Sequence, residues 1–302
     1  MMKIALIGAG SVGFTRKIVT DILSVPELRN TELSLMDIDD ANLDRIFQIL
    51  ERDIKANGLS HVRLTRTTDR RESLKGANYV FSFIRVGGLD AFALDVEIPL
   101  KYGVDQCVGD TLCAGGIMYG QRTIPVILDI CKDIREAAEP DALFLNYTNP
   151  NAMNTWAANT YGGVRTLGLC HGVQHGHKQI AEVLGVPAAE LDIICAGINH
   201  QTWYIQVRHK GKDMRGKLLE GFRRHPAYRV QEKVRIDILE RFGYYSTESN
   251  GHLSEYLPWY RKRVVGERCC LPNNSLKKPK VNNQSYNDFV HALVFGKSYA
   301  FS

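Results

Sequence analysis

Apolar residues recur with two different periods along the first part of this chain. Ile4–Ile7, Leu33–Met36 and Tyr79–Ile84 are apolar almost throughout, as strands covered on both faces are. Lys17–Leu23 and Ala41–Ala56 lie between them and repeat at helical spacing, the second through Leu43, Ile46, Ile49 and Ile54. Val62–Leu64 adds a short strand. This alternation predicts a parallel sheet with helices on both faces.

The period weakens over Arg85–Gly116, where Gly87, Gly88, Gly103, Gly109, Gly115 and Gly116 crowd together. A long, partly irregular segment over a site is expected there. Regular spacing returns with a helix over Ile117–Ala137, a strand over Ala142–Asn146 and a helix over Ala152–Thr160. A strand over Thr166–Leu169 and a helix over Lys178–Leu184 follow. Asp192–Ala196 and Thr202–Val207 suggest a hairpin pair, and Met214–Arg223 and Val230–Phe242 suggest helices. Beyond Arg263 the chain turns polar and turn-rich, with one helix-like stretch over Tyr286–Leu293. The pattern describes an α/β protein. A Rossmann-type doubly wound sheet is expected over 1–165 and a smaller, partial α+β domain over 166–302, with strand ends of both expected to contribute to any site.

Composition narrows the class. At 44% hydrophobic and 24% charged residues the chain has ordinary globular makeup. The net charge of +5 is spread out. Its denser basic group, Arg223, Arg224, Arg229, Lys233 and Arg235, is interrupted by Glu232 and Asp237 and reads as a solvated helix face, not a nucleic-acid surface. No run approaches the roughly 20 apolar residues of a membrane span, and the N-terminal apolar run is too short for a signal peptide. Seven cysteines at irregular spacing do not form a disulfide framework. Cytoplasmic location, with reduced thiols, is the expectation.

Candidate chemistry begins in GAGSVGF. Gly8, Gly10 and Gly13 are spaced G-x-G-x-x-G between a strand and a helix, the arrangement that presents a helix N-terminus to a dinucleotide pyrophosphate. Asp37 ends the second strand at the offset of a ribose-binding acid, which favours NAD over NADP. Asn149, in NYTNP, lies after a later strand, where it suits sugar hydroxyls or simply makes a turn. Cys170 and His200 each follow a strand. The pair fits a shared divalent transition metal or, alternatively, a buried thiol beside a satisfied imidazole. His175 and His177 read as surface residues at a helix start. Residues 243–259 are dense in aromatic, Glu, Asn and His side chains that suit a sugar, or form a structured loop.

GAGSVGF, LMDID at 35–39, the Gly87–Gly88 segment, GDTLCAGGI, NYTNPNAMNTWA, GLCHGVQ, CAGINH and TESNGHLSEYLPW occur in order over residues 1–263. Together they resemble glycoside hydrolase family 4, most closely its α-galactosidase (melibiase) branch. That family is an exception to two-carboxylate glycoside hydrolysis. The resemblance implies NAD-dependent oxidation at C3 of the sugar, metal-assisted loss of the C2 proton, elimination of the aglycone, addition of water and reduction by the same cofactor. It implies NAD bound by Gly8, Gly10, Ser11, Val12, Gly13, Phe14 and Asp37, and Mn²⁺ or another divalent metal on Cys170 and His200. Asn149 would contact substrate, and His171 would donate a proton. Tyr245, His252 and Tyr256 remain alternatives for the base.

Two departures from the family pattern matter. Phospho-sugar members carry an Arg soon after the paired glycines, but Gly88 here is followed by Leu89, Asp90, Ala91, Phe92, Ala93 and Leu94. An unphosphorylated hexoside is therefore expected, since a phosphate site wants a bidentate cation. Similarity fades after Arg263, so an abbreviated C-terminus is expected, with a homo-oligomer where that part is intact. Related glucuronide, galacturonide or glucoside hydrolysis are alternatives within the family. Outside it stand a lactate/malate-type dehydrogenase, with Arg85 as the substrate cation, and an inactive NAD-binding remnant.

Overall fold

A computed structural model describes residues 1–261 and two short paired strands at Arg263–Val264 and Glu267–Arg268. The helix-like stretch expected at Tyr286–Leu293 lies outside the described residues. Strand β1 (Met2–Ile7) leads through helix α1 (Val12–Ser24) to β2 (Thr31–Met36), then α2 (Asp40–Ala56), β3 (Arg63–Thr67), α3 (Arg70–Leu74) and β4 (Tyr79–Ser82). Helices α4 (Gly88–Lys101) and α5 (Cys113–Ala137) follow, then β5 (Leu143–Asn146), α6 (Asn151–Ala157) and β6 (Thr166–Gly168). The remainder is α7 (Gly172–Leu184), β7 (Leu191–Ile198), β8 (Gln201–His209), β9 (Lys212–Asp213), α8 (Arg215–Arg224), α9 (Tyr228–Gln231), α10 (Lys233–Phe242) and α11 (Asn250–Tyr256).

The chain divides into two compact units. Among the described residues, the first comprises 1–91 and 120–169, and the second 92–119 and the residues from 170 onward. The segment 92–119 thus groups with later sequence, which a single cut after residue 165 does not express.

The first unit holds a six-stranded parallel sheet in the order β3-β2-β1-β4-β5-β6, the dinucleotide-binding arrangement. Both faces of β1 are covered. Ile4 and Leu6 pack with Leu33, Leu35, Ile18, Val19, Leu43 and Ile46 on one side. Ala5 and Ile7 pack with Val80, Phe144, Ile127, Ile130 and Ile134 on the other. Burying each such Leu or Ile contributes about 1.5–3 kcal/mol. Under this layer the Arg16 guanidinium meets Asp53, with Nε–Oδ2 at 2.7 Å and Nη2–Oδ1 at 3.1 Å, and Asp53 is fully buried. This pair links α1 to α2.

The second unit pairs β7, β8 and β9 antiparallel. Its core unites Ile180 of α7, Leu191 of β7, Tyr204 and Val207 of β8, Leu218 and Phe222 of α8, Ile236 and Leu239 of α10, and Tyr245. No helix among the described residues is long and apolar enough to cross a membrane. The five cysteines among the described residues are free.

Several sequence expectations shift. Arg85–Gly116 is not mainly irregular, because it contains α4 and the first turn of α5. Terminal glycines and the internal Pro99 had obscured the helical period. Helix α7 starts at Gly172, six residues before the first residue of the expected helix at Lys178. The expected Val230–Phe242 helix is broken at Glu232 between α9 and α10. Arg235 leaves the solvated basic face altogether. It is 1% exposed, bonds Gln179 and the Ser246 carbonyl, and stacks on Tyr245 with 4.2 Å from its guanidinium carbon to the ring centre.

Removing one partner of a buried ion pair strands the other charge. Asp53→Ala is therefore expected to cost about 3–5 kcal/mol, read as a lower urea midpoint at unchanged slope. An unshifted midpoint would refute the structural weight given to the Arg16–Asp53 pair.

Candidate functional site

Parallel pairing gathers the dinucleotide candidates of the first unit at one sheet edge. Ile7 lies opposite both Met36 and Ser82, so the residues after β1, β2 and β4 emerge side by side. The N–H groups of Gly8 and Ala9 both donate to the Met36 carbonyl at 2.9 Å. Gly8 turns the chain with φ +86°, and an added Cβ there would sit 3.1 Å from the Ile84 amide nitrogen. Gly10 donates its N–H to Asp37 Oδ2 at 2.7 Å, and a Cβ at Gly10 would occupy that same distance from the oxygen. Asp37 Oδ1 accepts from the Asp39 N–H. A carboxylate has about four acceptor positions, so lone pairs remain for a ribose hydroxyl.

Ser11 caps α1 with its backbone, donating its N–H to the Gly8 carbonyl. A Cβ at Gly13 would meet nothing within 4 Å, which leaves open space over the first turn of α1. That cradle fits a pyrophosphate. Phe14 is 44% exposed and lies beside Phe83 and Tyr147. Val12 is 1% exposed with its side chain packed in the sheet core, so only its backbone is placed to meet a ligand at this helix N-terminus. Asn149 is half-buried and follows a pinned loop, in which Thr148 Oγ1 accepts from the Ile84 N–H and the Thr148 N–H donates to Asn146 Oδ1.

The second unit gathers the metal candidates. β7 and β8 join through Asn199 and His200 alone, and His200 takes the left-handed φ of +65°. Histidine is among the few non-glycine residues that tolerate this conformation. His200 Nε2 lies 3.4 Å from Cys170 Sγ, and its Nδ1 lies 2.8 Å from the Thr111 hydroxyl. Cys170 precedes α7 and receives the Gly172 N–H at 3.4 Å.

The chain after Tyr245 runs along β8, with Tyr204 N–H donating to the Tyr245 carbonyl and Thr247 N–H to the Thr202 carbonyl. This pairing delivers Glu248 to the cluster. One ligand atom each from Cys170, His200 and Glu248 lie within 4.8 Å of one another, and the same holds for Asp110, His200 and His252. The absence of a side chain at Gly172 makes room for Glu248, because a Cβ there would stand 2.3 Å from its Oε1.

Electrostatics favour a cation. Burial pushes the Glu248 carboxyl up to about 7, against the attraction of Arg235. Burial also raises the Cys170 thiol, as does the charge of Glu248, while the Gly172 N–H opposes the rise. Burial lowers His200 to about 4, and His252 and His171 lower it further. A thiol, a neutral imidazole and a carboxyl brought together in this way suit a transition metal.

The proposed proton-transfer residues separate clearly. His171 is exposed at the start of α7. His252 sits on α11 with its ring 4.4 Å from that of His200, its Nδ1 3.0 Å from Ser249 Oγ, and burial lowering its basicity. Tyr256 has a buried hydroxyl without a hydrogen-bond partner among the described residues, and burial raises its pKa. Tyr245 is corrected: it is 0% exposed, stacked on Phe222 at 4.1 Å and bonded to Gln179. A side chain sealed in the core cannot serve as a base. Sequence reasoning missed Asp110, Thr111, Glu248 and Glu255, although GDTLC and TESNGHLSEY contain all four.

Comparison with known proteins identifies the family. Residues 3–186 match the family 4 glycosyl hydrolases, and residues 195–296 match that family's C-terminal domain. The second match runs beyond Arg263, so the family's C-terminal domain is present and the expectation that similarity fades there is corrected. An α-galactosidase of Rhizobium meliloti (strain 1021) is 66% identical over 262 residues, 86% of this chain and 53% of that protein. An α-galactosidase of Bacillus subtilis (strain 168) is 38% identical over 268 residues, 88% of this chain and 62% of its own. A solved 6-phospho-α-glucosidase from gut microorganisms, in complex with NAD and glucose 6-phosphate, has a TM-score of 0.72 at 30% identity. That match covers 85% of this chain and 59% of the solved one. The chain thus spans between about half and three-fifths of these relatives' lengths.

Metal ligation requires a thiolate and a deprotonated carboxyl, so binding releases protons. Both groups are raised by burial, so apparent Mn²⁺ affinity is expected to rise from pH 6 to pH 8. Calorimetry in buffers of different ionisation enthalpy should find about one proton released by Cys170 at pH 8, and Cys170→Ser should abolish that release. Affinity independent of pH would count against this donor set. Tyr245→Phe should leave Mn²⁺ binding intact and cost about 1 kcal/mol of stability through the lost hydrogen bond. Loss of Mn²⁺ binding in a folded Tyr245→Phe protein would return this residue to the site.

Proposed function

The chain belongs to glycosyl hydrolase family 4, and from that premise we propose that it hydrolyses unphosphorylated α-galactosides using NAD and a divalent metal, Mn²⁺ first among them. The cluster of Cys170, His200 and Glu248 carries the assignment of a redox-assisted glycosidase over an ordinary dehydrogenase. The α-galactoside is supported by the 66% identity to a protein bearing that name. The unphosphorylated sugar is supported by residues 89–94, which lack an Arg. A reducing compartment such as the cytoplasm suits a free thiol that must stay reduced to ligate a metal.

Bound NAD would supply a hydride acceptor and donor at C3, and a bound divalent cation the positive charge that makes the C2 proton acidic. The glycine loop with Gly8, Gly10, Ser11 and Gly13 would hold the pyrophosphate, and Asp37 would accept from a ribose hydroxyl while repelling a 2′-phosphate. Phe14 would lie against the cofactor through its exposed ring. Cys170, His200 and Glu248 would ligate the cation. Asn149 would present its amide to sugar hydroxyls.

For the C2 proton, His252 is the better acceptor. Burial keeps its imidazole neutral with a lone pair, whereas burial keeps the Tyr256 phenol protonated. Exposed His171 would deliver a proton to the departing glycosidic oxygen. Water then adds across the resulting double bond, and the sugar leaves with its C3 hydroxyl restored.

Hydrolysis of p-nitrophenyl α-galactoside is expected to need both NAD and Mn²⁺ and to place solvent deuterium at C2 of the released sugar. His252→Ala should lose that label together with turnover. Activity surviving NAD removal would overturn the redox route. Faster turnover of a galacturonide or an α-glucoside in the same panel would replace the substrate, and net NADH formation from malate or lactate would replace the reaction.

A further inference from the structure

We propose that Thr111 is a positioning residue that fixes which ring nitrogen of His200 is free to ligate, and that Glu255 anchors the loop that holds it. The proposal rests on the assignment of Cys170 and His200 to a divalent cation.

A threonine hydroxyl has one proton to give. Thr111 gives it to Asp110 Oδ1 at 2.9 Å. The 2.8 Å contact between the Thr111 oxygen and His200 Nδ1 must then be donated by the imidazole. The proton on the neutral ring therefore sits on Nδ1. Nε2 keeps its lone pair and faces Cys170 Sγ at 3.4 Å. A histidine ligand needs that arrangement, because the other ring N–H sets both the tautomer and the ring orientation. Thr111 is 1% exposed and His200 8% exposed, so water has little access with which to compete for the contact.

Thr111 does not hold this position unaided. The Glu255 carboxylate on α11 accepts the N–H groups of Cys107 at 2.8 Å, Val108 at 2.7 Å and Gly109 at 3.0 Å. Cys107 Sγ donates to the Gly251 carbonyl at 3.1 Å, and Cys113 Sγ donates to the Glu255 carbonyl at 3.2 Å. Both ends of the loop carrying Asp110 and Thr111 are thereby tied to one helix. From the other side the backbone of α5 closes in, since a Cβ on Gly116 would stand 2.4 Å from the Thr111 carbonyl carbon. Gly109 adopts φ +65°, where a Cβ would strike Gln106 Nε2 at 2.7 Å. The loop has one packed arrangement, and His200 Nδ1 is bonded to its end.

Two measurements on the full chain test the proposal. Long-range ¹H–¹⁵N correlation spectra of the metal-free protein should show His200 protonated at Nδ1 alone. An Nε2–H tautomer in the wild type would overturn the proposal without any variant. Mn²⁺ affinity by titration calorimetry should fall about tenfold in Thr111→Val, the lower end of the loss usual for a residue that orients a metal ligand. Thr111→Ser, which keeps the hydroxyl, should stay within about twofold of wild type, and Glu255→Gln should weaken binding severalfold. Wild-type affinity in folded Thr111→Val would overturn the proposal, as would a Thr111→Ser variant as weak as the valine one. Cys170→Ser separates the two levels: unchanged Mn²⁺ affinity in that variant would defeat the metal assignment itself, whatever Thr111 does.

Discussion

Parallel pairing of β1 with β2 and β4 is the constraint from which the first unit follows. Because Ile7 faces both Met36 and Ser82, three consecutive strands end at one level. Their loops then have no choice but to share an edge. The paired bonds from Gly8 and Ala9 to the Met36 carbonyl bring Asp37 against Gly10. The separation of the strands by helices that cover opposite faces keeps β1 free of polar side chains along Ile4–Ile7. Polar chemistry is left to the loops, where a ligand can reach it.

The second unit uses the opposite device. Its chemistry lies on a hairpin tip, a helix start and one short helix, and much of it is buried. Burial pushes each group toward its neutral form: it raises the Glu248 carboxyl and the Cys170 thiol and lowers the His200 and His252 imidazoles. Such a cluster is poorly solvated without a cation and would be stabilised by one, since a divalent charge reverses each of these preferences except the neutrality of the imidazoles. Fixed neighbours lend the cluster shape: Arg235 holds the Ser246 carbonyl just before Glu248, and Glu255 holds the loop that leads to Thr111. The buried polar residues here are therefore mostly framework around the candidate ligand atoms of Cys170, His200 and Glu248.

Legibility in the sequence followed the range of each interaction. The strands of the sheet and helices α1 and α2 were readable because their periods are local and uninterrupted. Helix α4 was hidden by glycines at its ends and by Pro99, and its buried residues, Asp95 and Pro99, form no apolar stripe. Gly8, Gly10, Asp37, Cys170 and His200 were readable as motif residues. Tyr245 entered as one alternative for the base through the family resemblance, and its burial in the core removes it, while burial turns the Val12 side chain away from the glycine loop's open face. Arg235 was placed with its basic neighbours on a solvated face, whereas α10 points it inward to Gln179 and Tyr245.

The sequence by itself determined the parallel fold of the first unit, the glycine loop with its acid, and the pair Cys170 and His200, because each depends on local spacing or on a motif of a few residues. Only the tertiary structure decided which residues surround that pair. Glu248 arrives by antiparallel pairing with β8, His252 by the position of α11, and Asp110 and Thr111 through a loop held by a carboxylate about 150 residues away in sequence. No periodicity records such contacts, since they depend on how separate elements pack and not on the order of residues within any of them. For the same reason the sequence could single out His200 as a candidate ligand but could not say which of its nitrogens is free.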